Sequence, residues 1–310
     1  MKIIEAAEVQ QALEFPALID ALEAGFGGDY GMPPRQVFQL AAASHDGFAL
    51  LPAWSDTLIG VKAFTYFPDN AAAGFASLYS KILLFDRAHG VPLALVDGTS
   101  ITYWRTAAVS ALASRLLSRP DSGTLLLLGT GNLAPFLVAA HLTVRDLKRV
   151  LLWGRDGAKA GALQARLQVS HPDVEFVCID DIAAHAGSVD IIVSATGAAA
   201  PLLHGAWIAP GCHVDLLGNH SPDRRECDSA LVVNSTVYVD NIDNVLREAG
   251  ELLIPIAEGV FSPDTIAGEL KHLCRAGAPS RRNSEEITLF KSVGTALSDL
   301  IAAGLVLNHA

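Results

Sequence analysis

The pattern of apolar and polar positions changes several times along the chain. Up to about residue 30, apolar residues recur at helical spacing between acids, as in Phe15-Pro-Ala-Leu-Ile-Asp-Ala-Leu-Glu-Ala-Gly-Phe26, until Gly27-Gly28 breaks the pattern. This predicts amphipathic helices. Between Val37 and Val96 the period falls to two, with short apolar runs at Phe48–Leu51, Ile59–Phe64, Leu78–Phe85 and Val91–Val96. Turn residues at Pro68–Asn70, His89-Gly90 and Asp97-Gly98 separate them, so a mixed sheet is expected. Thr99–Leu117 reads as one long alanine-rich helix, with Thr99, Ser100 and Thr102 as candidate N-caps, ended by Ser118-Arg-Pro-Asp-Ser-Gly123. From 124 to about 245 strand and helix alternate, with strands expected at Leu125–Leu128, Val150–Trp153, Val174–Ile179, Val189–Ser194, His213–Leu217 and Val237–Asp240. Asn283-Ser-Glu-Glu286 has the form of a capping box. The final stretch, Ala296–Leu307, is helical with a stripe of Leu297, Leu300, Ile301 and Leu305 that must be buried, and it is expected to return to the first domain.

The stretch Thr124–Ala134, TLLLLGTGNLA, joins a short unbroken apolar strand to a helix with Pro135 in its first turn. Gly129, Gly131 and Ala134 form G-x-G-x-x-A in the context a dinucleotide requires. The first glycine permits a tight turn, the second lets backbone approach a pyrophosphate, and the alanine allows close helix–strand packing. Asn132 and Leu133 complete the turn and are counted with it as cofactor contacts. The fold class is therefore α/β: a Rossmann-type, doubly wound dinucleotide-binding domain over 120–294, and an α+β domain over 1–119 completed by the C-terminal helix at 295–310.

A net charge of −11 argues against nucleic acid and anionic membrane surfaces as partners, so an anionic ligand needs a local cluster of Arg and Lys. Cys178, Cys212, Cys227 and Cys274 are scattered without a C-x-x-C pair, which indicates neither a disulfide framework nor a zinc site. With no signal-peptide pattern at Met1–Glu5 and no long apolar span, a cytoplasmic protein is expected.

Three cations stand out. Arg35 follows two prolines that fix its backbone. Lys62 interrupts an apolar strand, either as a ligand group needing a partner or as an edge-strand lysine that discourages aggregation. Arg105 is expected near the first turn of the Thr99–Leu117 helix, where a cation opposes the macrodipole but would strengthen a carboxylate site. In the second domain, Thr196 follows one strand end, and His220, Glu226 and Asp228 follow another. All three of the latter are candidates for proton transfer, against the plainer reading of the acids as caps or surface ion pairs. About 20–25 residues after the glycine turn, where an NAD-preferring domain carries an acid, the chain has Gly154 and Arg155. This favours NADP(H), with Asp156 keeping NAD(H) open.

The stretches Pro33-Pro-Arg35, Gly60-Val-Lys62, Tyr66-Phe-Pro-Asp-Asn70, Asp97–Ala108, Leu128-Gly-Thr-Gly131, Arg225-Glu-Cys-Asp228 and Glu286–Gly294 resemble the ornithine cyclodeaminase/mu-crystallin family nearly end to end. The resemblance implies a homodimer whose first domain binds substrate and dimerises. It implies that Arg35, Lys62 and Arg105 hold a substrate carboxylate, that Ser77 stands where a threonine usually assists, and that Asp228 handles the substrate nitrogen, with Lys62 and Asp228 as the catalytic residues. Thr106 and Val293, within the matched stretches, are counted with Thr196 as cofactor contacts. Two positions depart from the family. Ala49 stands where cyclodeaminases carry a glutamate for the far amino group of ornithine, and Leu133 stands where glutamine is usual. The leading expectation is an NAD(P)H-dependent reductase of a cyclic 2-imino acid such as Δ1-pyrroline-2-carboxylate. The alternatives are an ornithine cyclodeaminase, an alanine-dehydrogenase-like enzyme, and a non-catalytic ligand-binding protein of the crystallin kind.

Overall fold

In the computed structural model, which describes residues 1–41, 46–275 and 281–309, the chain divides into two units, Met1–Val109 with Gly294–Ala310, and Ser110–Val293. Residue 310, the last of the expected C-terminal helix, lies outside the described residues.

The first unit opens with β1 (Lys2–Ile4), α1 (Ala6–Ala12) and α2 (Phe15–Gly27), which buries Phe15, Leu18, Ile19, Leu22 and Phe26 on one face. There follow β2 (Gln36–Gln39), β3 (Gly47–Trp54), β4 (Leu58–Tyr66), β5 (Leu78–Asp86) and β6 (Pro92–Asp97), then α3 (Gly98–Leu117). The six strands form one sheet in the order β1-β6-β5-β4-β3-β2, antiparallel except for β1 beside β6. Alternation along each strand gives two faces. One carries Ala49, Leu51, Ala53, Ile82, Leu84, Ala94 and Val96, all buried. The C-terminal helix, Ala296–His309, packs on this face: a Cβ on Gly60 of β4 would come within 2.7 Å of Leu300. The same helix meets α2, where a Cβ on Gly25 would lie 2.4 Å from Ile301. The opposite face, with Ile59, Val61, Leu83, Phe85, Leu93 and Leu95, is apolar and only half-buried.

The second unit holds β7 (Thr124–Leu128), α4 (Ala134–Val144), β8 (Arg149–Trp153), α5 (Gly157–Ser170), β9 (Glu175–Cys178), α6 (Ile182–Ala186), β10 (Ile191–Ser194) and β11 (His213–Leu216). It continues through α7 (Ser229–Val233), β12 (Thr236–Val239), α8 (Ile242–Glu248), α9 (Gly250–Ala257), β13 (Gly268–Glu269), α10 (Leu270–Leu273) and β14 (Thr288–Lys291). All eight strands run parallel in the order β13-β12-β14-β11-β10-β7-β8-β9. The order reverses between β7 and β10, the switch point where such sheets bind ligands beyond their carboxyl ends.

Three expectations change. Asn283 does not start a helix. Its side chain accepts from the N–H groups of Glu285 and Glu286 in a turn that leads into β14, between β11 and β12. That strand was hidden by Lys291, whose buried ammonium lies 3.0 Å from Glu251 and donates to the Asn219 carbonyl at 2.8 Å. The N-cap of α3 is Asp97, whose Oδ1 accepts the Ser100 N–H at 2.8 Å, while the Thr99 hydroxyl takes the Ser80 N–H instead. Finally, the division between units falls inside α3, at Val109/Ser110, rather than at 119/120. The second half of α3 is bound within the second unit: Arg145 donates to the carbonyls of Ser114, Arg115 and Ser118, capping its C-terminus.

Candidate functional site

In the first unit, Lys62 sits mid-strand in β4, paired in register with Leu51 of β3 and Ile82 of β5. With a strand on each side it is no edge lysine. Its side chain is 4% exposed and donates to Thr102 Oγ1 at 2.5 Å and to Asp299 Oδ1 at 3.0 Å. Thr102 passes its own proton to the Gly98 carbonyl, so its oxygen is aimed as an acceptor. Burial pulls the Lys62 ammonium down to about 8. Asp299 works against that shift, and Arg105 and Arg35 add to it.

Arg105 lies seven residues after Gly98, two turns into α3 rather than in its first turn, so the helix N-terminus does not reinforce it. Its Nε donates to the same oxygen, Asp299 Oδ1, at 3.1 Å. Arg35 donates through Nη2 to the Gly294 carbonyl. Gly294 has φ +85°, and a Cβ there would stand 2.9 Å from Arg105 Nη1, so glycine is required on both counts. Arg35, Lys62 and Arg105 are thus brought together around Asp299 and Gly294. Sequence reasoning missed Asp299, although it is the only acid in Ala296–His309 and shares the buried side of that helix.

Ser77 is exposed before β5, and its carbonyl accepts the Phe67 N–H. Ser80 lies on the Lys62 face of the sheet, buried, with an Oγ that has no hydrogen-bond partner among the described residues. Thr106, next to Arg105, is half-buried.

In the second unit the glycine turn leaves β7 at the switch point. Gly129 has φ +114°, and a Cβ would press to 2.6 Å from the Ala195 carbonyl, so this bend admits only glycine. At Gly131 a Cβ would meet nothing within 4 Å, which leaves the open approach a pyrophosphate needs. Ala134 is buried, Pro135 stands in the first turn of α4, and Leu133 offers no side-chain cap. A dinucleotide fits this cradle, with Gly129, Gly131, Asn132, Leu133 and Ala134 as its rim.

Beside the turn, Gly154 lies against Thr130: a Cβ there would approach its Cγ2 to 2.6 Å. Arg155 is exposed. Asp156 is occupied as the N-cap of α5, its Oδ1 accepting from Ala158 at 3.0 Å and Lys159 at 3.2 Å. Thr196, after β10, donates both its N–H and its hydroxyl to Glu226 Oε1, each at 2.7 Å. The Val293 N–H, after β14, is held by Asp240 at 3.0 Å.

The acids after β11 are held by backbone donors. Glu226 is fully buried and also accepts from Ser194 at 2.6 Å and Gly218 at 2.7 Å, tying together the ends of β10 and β11. Burial pushes its carboxyl up, against the pull of Lys291. Asp228 caps α7: its Oδ1 accepts from Leu231 and Gly205, each at 2.9 Å, and its Oδ2 pairs with His204 at 3.1 Å. His220 is exposed at the carboxyl end of β11, on the same edge of the sheet as the glycine turn.

The profile of the ornithine cyclodeaminase/mu-crystallin family matches residues 1–310. The chain is 55% identical over 307 residues to the Δ1-pyrroline-2-carboxylate reductase of Colwellia psychrerythraea, covering 98% of this chain and 97% of that protein. It is 35% identical over 314 residues to the ketimine reductase mu-crystallin of Mus musculus, covering 98% and 95%. The structure of Thermococcus litoralis Δ1-pyrroline-2-carboxylate reductase in complex with NADH and L-proline superposes with a TM-score of 0.93 at 30% identity, over 99% of this chain and 97% of that one.

Proposed function

The chain belongs to the ornithine cyclodeaminase/mu-crystallin family, and from that premise we propose that it reduces a small cyclic 2-imino acid of the Δ1-pyrroline-2-carboxylate type with NAD(P)H. The observation that carries this reading is the cluster in which Lys62 and Arg105 converge on one oxygen of Asp299, with Arg35, held on the Gly294 carbonyl, near enough to act on the Lys62 charge. Two cations on one carboxylate leave a positive charge that a substrate carboxylate balances. Lys62 has three N–H donors, of which two are engaged, and Arg105 keeps its Nη edge for a bidentate contact.

When bound, the reduced nicotinamide supplies a hydride to C2 of the imine. The protein's part is to fix C2 by the carboxylate clamp and to deliver a proton to the ring nitrogen, giving the saturated cyclic amino acid. Because Glu226 and Asp228 are committed to backbone donors, His220 is the proton donor in this reading, replacing Asp228. A cyclodeaminase must also bury the second ammonium of ornithine against a carboxylate. Ala49, fully buried in β3, supplies none.

NADP(H) is the favoured cofactor: Gly154 has no room for an acid beside Thr130, Asp156 is spent as a cap, and Arg155 is available to a 2′-phosphate. A homodimer is supported by the half-buried apolar face of the first unit's sheet. The test is initial-rate oxidation of NADPH and NADH with Δ1-pyrroline-2-carboxylate, beside an ammonia assay with L-ornithine and NAD⁺. Fast oxidation with NADPH ahead of NADH and no ammonia is expected; ammonia and proline from ornithine without net cofactor change would sink the reading in favour of the cyclodeaminase.

A further inference from the structure

The carboxylate clamp needs its own scaffold, because Lys62 is buried beside two guanidinium groups that repel it. We propose that Asp299 is a positioning residue: from the C-terminal helix, its Oδ1 holds Lys62 and Arg105 side by side so that one Lys62 N–H and the Arg105 Nη edge converge on the same ligand carboxylate. Both bonds end on one oxygen, at 3.0 and 3.1 Å, while Oδ2 is buried with no hydrogen-bond partner among the described residues. A carboxylate placed this way fixes the spacing of the two donors rather than neutralising one of them. It reaches them from a segment more than 190 residues away in sequence, by way of a helix seated on the sheet face that carries Lys62. Thr102, from α3, completes the cage by accepting a second Lys62 proton.

The charged groups facing Lys62 are Asp299 from the C-terminal helix, Arg105 from α3 and Arg35 from the segment before β2. Only Asp299 favours the ammonium. In the wild type, Lys62 is charged below about 8 and loses its proton as pH rises through that value, so affinity for an anion falls across it. Removing the Asp299 charge leaves burial and two cations acting together, and the fall moves to lower pH.

This inference rests on the reading of the three cations as a carboxylate site. It is tested with pyrrole-2-carboxylate, a planar ring carboxylate that does not titrate between pH 6 and 9, binding to the NADPH-loaded protein. Dissociation constants are measured across that range for wild type, Asp299→Asn and Asp299→Glu. In Asp299→Asn, binding at pH 7.5 is expected to weaken at least about tenfold and the alkaline midpoint to fall by about one pH unit or more. Asp299→Glu keeps the charge but displaces it by a methylene, so its midpoint should return toward that of wild type while affinity stays reduced. Wild-type affinity and midpoint in Asp299→Asn would overturn the proposal, as would weakened binding with an unmoved midpoint. Should Asp299→Asn fail to fold, unreduced affinity in Asp299→Glu overturns it alone. Failure of the wild type to bind would overturn the carboxylate reading, and this proposal with it.

Discussion

Arg105→Ala should lower kcat/KM for Δ1-pyrroline-2-carboxylate by about 1,000-fold, since truncating one partner of a buried, charge-assisted pair costs roughly 2–5 kcal/mol. The residue is 9% exposed and its Nε is already fixed on Asp299, so its Nη edge is offered to a ligand without further ordering. Its loss removes a bidentate contact and also leaves the Asp299 carboxylate on Lys62 alone. The effect should appear in both kcat and KM, because the carboxylate is the handle that sets C2 in place. Dinucleotide binding, which draws on the glycine turn of the second unit, should be unchanged, and fluorescence titration with NADPH checks this. An Arg105→Ala variant with near-normal turnover would mean that the carboxylate is bound elsewhere.

The second large effect separates His220 from Asp228. His220→Ala should reduce kcat by about 100-fold or more with little change in KM, the usual contribution of a positioned proton donor. Because the side chain is exposed, the variant should keep its fold. Asp228→Asn should retain turnover, since an amide oxygen still accepts from Leu231 and Gly205, and should instead cost about 1 kcal/mol of stability as a weakened cap and a lost pairing with His204. Steady-state kinetics and thermal melts of the two variants decide the matter. Loss of turnover in Asp228→Asn with His220→Ala active would return the role to Asp228.

The sequence carried the parts of this account that rest on local pattern. The glycine turn is legible because strand, G-x-G-x-x-A and helix occur consecutively, and Gly129 adopts the positive φ that such a turn requires. Lys62 is legible as a charge inside an apolar strand, which implies a partner without naming it. That partner, Asp299, is 237 residues away, and no local signal separates a buried acid from one that decorates a helix. Asp97, Thr99, Ser100 and Thr102 are all cap-forming types in one short stretch, so only geometry could assign the cap to Asp97. The error shifted Arg105 from the second turn to the first. Lys291 concealed β14 for the reason that made Lys62 conspicuous: a buried lysine breaks an apolar run, and its acid, Glu251, is distant. The acids after β11 show the reverse difficulty. Chemistry nominates Glu226 and Asp228 equally for catalysis or capping, and only the geometry shows that backbone donors occupy both.

The most direct test of the central claim is a deuterium-transfer measurement with NADPH deuterated at the reactive C4 position and Δ1-pyrroline-2-carboxylate, reading the product by proton NMR. Hydride delivery to the C=N carbon predicts proline with one deuterium at Cα, in an amount equal to the NADPH consumed. Proline without deuterium at Cα, or oxidation of NADPH without proline, would contradict it.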